Sequence, residues 1–152
     1  MLAALGNDTF VHRLFFFLHI LSAIVAFAPT FVWPSVRAAA RKGSLALGPL
    51  DAIAAKQLNA VHGPALLFTG GAGIVMVLTS AGETFEFSQL WISLAFVLWF
   101  ALLGVVYGLL APATKKAGEG DEAAAAKVPM FTGIVHLLAA ATLVVMIWKP
   151  GL

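Results

Sequence analysis

Four stretches of the sequence are apolar over the length that a helix needs to cross a bilayer. About 20 apolar residues span a hydrocarbon layer of roughly 30 Å, and residues 10–33, 62–79, 90–111 and 130–148 approach or exceed that length. Charged side chains lie mostly between these stretches. The pattern predicts an all-α fold, a four-transmembrane-helix bundle, with residues 1–152 forming a single integral membrane domain.

The charges between the stretches predict the orientation. The first connection carries one acid, Asp51, against four basic residues, and the third carries three lysines: Arg37, Arg41, Lys42, Lys56, Lys115, Lys116 and Lys127. Since Lys and Arg are enriched in cytoplasmic loops, we expect a multi-pass protein of the bacterial inner membrane with both basic loops cytoplasmic and both termini outward. We expect Asp51 to cap a short helix, and we expect the lipid bilayer, not nucleic acid, as the partner.

Composition narrows the chemistry further. The chain is 61% hydrophobic and has no cysteine, which excludes disulfides, thiolate metal ligands, iron–sulfur clusters and covalent haem attachment. No Ser–His–Asp set or HExxH motif is present, so hydrolysis is not expected. Any cofactor must therefore be held by nitrogen or oxygen ligands, and whether the protein is an enzyme stays open.

Histidines inside the apolar stretches are the main functional signal, because intramembrane ionisable groups are functional-site hypotheses by default. At 1.5 Å of rise per residue, His19 lies roughly 13 Å deep from one side and His136 roughly 10–12 Å deep from the other. The two imidazoles are therefore predicted near one level in the middle of the bundle. His62, at the loop end of the second stretch, is either a boundary residue or a further cofactor ligand.

Several interpretations of these histidines stay open. His19 and His136 are candidate axial ligands of haem b iron, members of a proton relay, ligands of a transition metal, or donors of interhelical hydrogen bonds. A further interpretation is a non-enzymatic accessory or scaffold subunit of a larger membrane complex. In that case Gly104 and Gly108 would contact another subunit or a second copy.

Small residues and a proline predict how the helices pack. Gly70, Gly73, Gly104 and Gly108 are candidate helix-packing positions, because small residues let helix backbones approach closely. Pro29 is expected to bend the first helix. The hydroxyls of Ser22, Thr69 and Thr132 are expected to bond to their own helix backbones, with no ligand required.

Short motifs link the chain to known membrane proteins. Leu18-His19-Ile20-Leu21, and the apolar run that continues to Trp33-Pro34-Ser35-Val36-Arg37, resemble the first helix of small bacterial four-helix membrane proteins. These are the HemJ-type protoporphyrinogen oxidases, the CopD-like proteins and related families of unknown function. The resemblance implies a four-helix bundle with outward termini, haem b bound at His19, and electron transfer or redox chemistry. The chain departs from the HemJ-type pattern by lacking a Leu-Pro-Arg-Leu segment.

Overall fold

A computed structural model describes residues 9–80 and 85–151, which form helices and no strand. The helices are α1 (Phe10–Lys42), α2 (Leu47–Gln57), α3 (Gly63–Thr79), α4 (Leu90–Val105), α5 (Ala111–Gly118) and α6 (Glu122–Trp148). Two π-helical turns, Leu58–His62 and Val106–Leu110, join α2 to α3 and α4 to α5. The resulting four helical segments are long and apolar enough to cross a membrane, which confirms the predicted all-α four-helix bundle.

The helices extend further than the apolar stretches. Helix α1 continues nine residues beyond 10–33 to Lys42, and the second segment begins at Leu47 and not at 62. Hydropathy marks where a helix is apolar, whereas runs of alanine, lysine and glutamine continue a helix into water. The bundle therefore projects past the apolar region at the end where the basic loops lie.

Capping residues define the helix ends. The Thr9 hydroxyl accepts the His12 backbone N–H at the start of α1, and the Asp121 carboxylate accepts the Ala124 N–H at the start of α6. Gly43 ends α1 and donates its own N–H back to the last turn. The predicted capping role of Asp51 is wrong, because α2 begins at Leu47 and Asp51 lies inside it.

Each π-helical turn stands just before a proline. Gly63 donates its N–H to Leu58, and Ala111 donates to Val106, in both cases five residues back. Pro64 and Pro112 follow directly. A proline ring has no N–H and crowds the carbonyl four residues earlier, and a wider turn relieves that contact without ending the helix.

The helices pack in three main pairs. Helix α1 packs mainly on α3, α4 on α6, and α2 on α5. Leu102 and Val135 lie in the core at 1% and 0% exposure, whereas Leu137, two residues after Val135 and on the opposite side of α6, is 71% exposed. Such an apolar exterior suits lipid contact. We call the end with α2 and α5 the basic-loop end, and the end where α1 starts and α6 finishes the terminal end.

Candidate functional site

All four histidines bond another helical segment through one ring nitrogen. In chain order the bonds are His12 Nδ1 to Thr79 Oγ1 (3.1 Å), His19 Nδ1 to the Thr69 carbonyl (2.8 Å), His62 Nδ1 to the Val25 carbonyl (2.8 Å), and His136 Nε2 to the Thr30 carbonyl (2.8 Å). A carbonyl only accepts, so the bonded nitrogen of the last three must carry the proton. The partner therefore fixes the neutral tautomer of each of these three imidazoles.

The structure does not bring His19 and His136 together. His136 bonds Thr30 and stacks on Phe31, with ring centroids 4.3 Å apart. Thr30 lies eleven residues beyond His19 along α1, which corresponds to about 16 Å of helix. The two imidazoles therefore lie at different levels of the bundle.

Prolines explain why His62 and His136 find free carbonyls inside a helix. In an α-helix a carbonyl accepts from the residue four positions later. For Val25 that residue is Pro29, and for Thr30 it is Pro34, and proline has no N–H to donate. His62 and His136 supply the missing donors from neighbouring segments.

The same arrangement recurs at the basic-loop end. Pro129 leaves the Ala125 carbonyl of α6 without its intrahelical donor, and the Arg37 guanidinium donates to that carbonyl over 3.3 Å. Arg37 also forms an ion pair with Asp51. Both side chains are buried, at 7% and 2% exposure, so the pair joins α1, α2 and α6 inside the bundle.

Two buried side-chain atoms in the part of the chain that the structure describes have no hydrogen-bond partner: Oδ2 of Asp51 and Nε2 of His62. Both residues line one cavity of about 40 Å³, to which all four helical segments contribute. Arg37 and the hydroxyl-bearing residues Thr30 and Thr132 line it as well. One water needs on the order of 10–15 Å³ of such volume and two to four polar partners, so the cavity can hold a small water cluster between carboxylate and imidazole.

A second, open depression of about 450 Å³ lies at the basic-loop end. Arg41, Asp121 and Glu122 line it, and so does Asp51. Asp51 therefore borders both the inner cavity and the polar surface. The arrangement suits exchange of a proton between that surface and His62.

A second polar cluster lies at the interface of α1 and α3. The Thr69 hydroxyl contacts Ser22 Oγ over 2.9 Å and bonds the Ala65 carbonyl, and Ser22 bonds the His19 carbonyl. The Thr132 hydroxyl bonds the Val128 carbonyl on its own helix. The expected bonds of Ser22, Thr69 and Thr132 to their own helix backbones are thus confirmed.

The candidate packing glycines fall into two groups. At Gly70 an added Cβ would overlap the Trp99 ring, and at Gly73 it would touch the His19 ring at 3.6 Å. Added Cβ atoms at Gly104 and Gly108 would meet nothing within 4 Å. The first two glycines serve contacts inside the bundle, whereas the other two leave an open face for lipid or another helix.

No metal centre is evident in the described ranges, where no group of three or more His, Cys, Asp or Glu side chains could hold an ion. The residues that the sequence analysis missed as site members are Arg37 and Asp51. The signal was the lone acid among four basic residues, which a buried ion pair explains better than a helix cap. The prolines four residues after Val25, Thr30 and Ala125 were a second signal.

Comparisons with known proteins add no identification. No protein-family model, no curated protein and no solved structure matches this chain.

Proposed function

We propose that this protein conducts protons across the membrane and that they enter the bundle from its basic-loop end. The observation that carries the proposal is the pair of buried atoms without partners, Asp51 Oδ2 and His62 Nε2, on one water-sized cavity. Unpaired buried polar atoms each cost about 1–3 kcal/mol. Exchange of protons through waters gives both atoms partners and a chemical role.

The acceptor atom in this relay is Nε2 of His62. Its Nδ1–H is held by the Val25 carbonyl, so Nε2 keeps the lone pair in the neutral ring. A proton crosses from the open depression past Asp51, moves through the cavity waters and binds Nε2. Imidazole suits this step because one ring nitrogen can accept a proton while the other keeps its N–H bonded.

Arg37 holds Asp51 for this role. The guanidinium pairs with Oδ1 of Asp51, which offsets the charge of the buried carboxylate and leaves Oδ2 as its unbonded oxygen. The hydroxyls of Thr30 and Thr132 already donate to their own helices. Their oxygens retain lone pairs that can accept from cavity waters.

Charge sets the direction that we propose. The basic-loop end carries most of the Lys and Arg residues, which favours its placement on the cytoplasmic side of a bacterial inner membrane with both termini outward. The relay would then draw protons from the cytoplasm.

The test is proton flux into liposomes that contain the purified protein and a trapped pH-sensitive dye, driven by a potassium diffusion potential. His62→Gln keeps an N–H donor for Val25 but has no ring nitrogen to accept a proton, and we expect flux to fall by about a hundredfold or more, the low end of the effect of removing a general acid or base. The matched control is His136→Gln, since His136 does not line the cavity. Equal flux for wild type and His62→Gln, or no flux above empty liposomes, would overturn the proposal.

A second candidate function is haem b binding through His19. One observation favours it: Nδ1 of His19 donates to Thr69 and no bond occupies Nε2 among the described residues, as in histidines whose free nitrogen ligates a metal. His136 does not fit the second axial position in this packing, because its Nε2 bonds Thr30. Bound haem would supply one-electron redox chemistry.

The haem hypothesis is tested by the absorption spectrum of protein purified from haem-supplied cells. A Soret band that is lost in His19→Ala and kept in His12→Ala would support it. Protein without absorbance in the Soret region after incubation with haemin would exclude it.

A further inference from the structure

We infer that Pro29 is a positioning residue for the proton acceptor: by leaving the Val25 carbonyl free, it creates the group that orients His62 and fixes its tautomer. This inference rests on the proposed function of His62 as the acceptor. Pro29 itself forms no hydrogen bond to His62. It acts through the Val25 carbonyl, which accepts the Nδ1–H of the imidazole.

The bond from His62 to the Val25 carbonyl is one of three bonds of the same kind in this bundle. Three carbonyls that precede a proline by four residues, those of Val25, Thr30 and Ala125, are each met by a polar side chain from another segment. The donors are His62, His136 and Arg37, at 2.8, 2.8 and 3.3 Å. Removing an intrahelical donor by proline thus repeatedly creates an acceptor for a cross-helix bond.

The free carbonyl of Val25 has a different consequence from the free carbonyls of Thr30 and Ala125. At Thr30 the donor is Nε2 of His136, which lies outside the cavity lining, and at Ala125 the donor is an arginine that has no alternative tautomer. At Val25 the donor is His62, a residue that lines the cavity and whose second nitrogen is buried without a partner among the described residues. Because the Val25 carbonyl fixes which His62 nitrogen carries the N–H, it also fixes which nitrogen is left to receive a proton.

A different residue at position 29 removes this control. Pro29→Ala supplies a backbone N–H that can bond the Val25 carbonyl within the helix. The Nδ1–H of His62 is then no longer the only donor to that carbonyl. The neutral ring can then carry its proton on Nε2, which turns the lone pair away from the cavity. The helix itself gains a regular hydrogen bond, so a structural weakening of α1 is not expected.

The first readout is the tautomer of His62, measured by ¹⁵N NMR of protein with labelled histidine. Resonances are assigned with His62→Gln, and spectra are taken at a pH where the ring is neutral. We expect the Nδ1–H form in wild type and a mixture, or mainly the Nε2–H form, in Pro29→Ala. Pro34→Ala is the matched control, and it should leave the His62 tautomer unchanged.

The second readout is proton flux in the liposome assay. Flux in Pro29→Ala should fall by about tenfold or more, the scale found when the group that orients a histidine is removed. In Pro34→Ala it should stay close to wild type, and in the double variant Pro29→Ala/His62→Gln it should not fall below His62→Gln alone.

The outcomes separate this inference from the proposed function. If the His62 tautomer is unchanged in Pro29→Ala, the inference is overturned, even when His62→Gln abolishes flux. If the tautomer changes but the wild-type protein shows no flux, the proposed function is overturned and the positioning role of Pro29 stands. If Pro29→Ala does not fold, Pro29→Ser introduces the same N–H with a different side chain and is judged by the same two outcomes.

Discussion

The two ends of the bundle bury polar groups in different ways. At the terminal end, His12 bonds Thr79, and the Ser80 hydroxyl bonds the backbone carbonyls of Val77 and Phe85. At the basic-loop end, Asp51 and His62 each keep one buried atom without a partner beside a cavity. A fully bonded polar group is explained by packing alone, whereas an unbonded one implies an additional partner. The basic-loop end is therefore the end where buried side-chain atoms of the described residues lack a protein partner.

The largest effect is expected from breaking the ion pair at the basic-loop end. Asp51→Leu leaves the Arg37 guanidinium buried without a counterion, and loss of one partner of a buried pair costs about 3–5 kcal/mol. Urea unfolding of the detergent-solubilised protein measures the change. The double variant Arg37→Leu/Asp51→Leu should recover most of the lost stability, since it leaves no buried charge. A double variant as unstable as the single one would contradict this interpretation.

A smaller effect is expected at the terminal end. His12→Phe removes the bond to Thr79, but the Thr79 hydroxyl still donates to Val75 within its own helix. The expected loss of stability is therefore about 1 kcal/mol, the net worth of one hydrogen bond, with proton flux unchanged. Thr79→Val, which removes the other partner, should give a loss of similar size. A strong fall of flux in His12→Phe would break the proposed contrast between the two ends.

The smallest effect concerns Lys149. Its ammonium lies 5.2 and 5.3 Å from the ring centroids of Phe85 and Trp91, and exposed cation–π contacts contribute about 0.5–1 kcal/mol. Lys149→Gln should lower the unfolding temperature slightly and leave flux unchanged. Lys56→Gln serves as the control, because Lys56 is exposed on α2 and contacts no aromatic ring among the described residues. Equal shifts for both variants would show that general charge, and not the rings, is responsible.

The architecture was predictable because it depends on properties that run along the chain. Apolar length alone predicted four membrane-length helices, as observed. The hydroxyls of Ser22 and Thr69 bond their own helices as expected, because acceptors three or four residues back are always within reach.

The site was less predictable because its contacts join distant parts of the chain. Counting residues from the membrane boundary placed His19 and His136 at one level, but it could not include how far each helix continues beyond its apolar stretch. The pairing of Arg37 with Asp51 crosses from α1 to α2, and the sequence pattern does not show which of the four basic residues pairs with the acid. The prediction that His19 binds haem b stays a prediction.

The π-helical turn Leu58–His62 takes up one residue more than regular α-helical winding needs. Removing Ala60 would therefore restore regular winding and leave α2 and α3 in nearly their present orientation, but the Pro64 ring would then crowd the carbonyl of the preceding turn. The length of this segment is thus specified as well as its residues: the additional residue lets a proline follow His62 closely while Asp51 and His62 stay on one continuous helical segment.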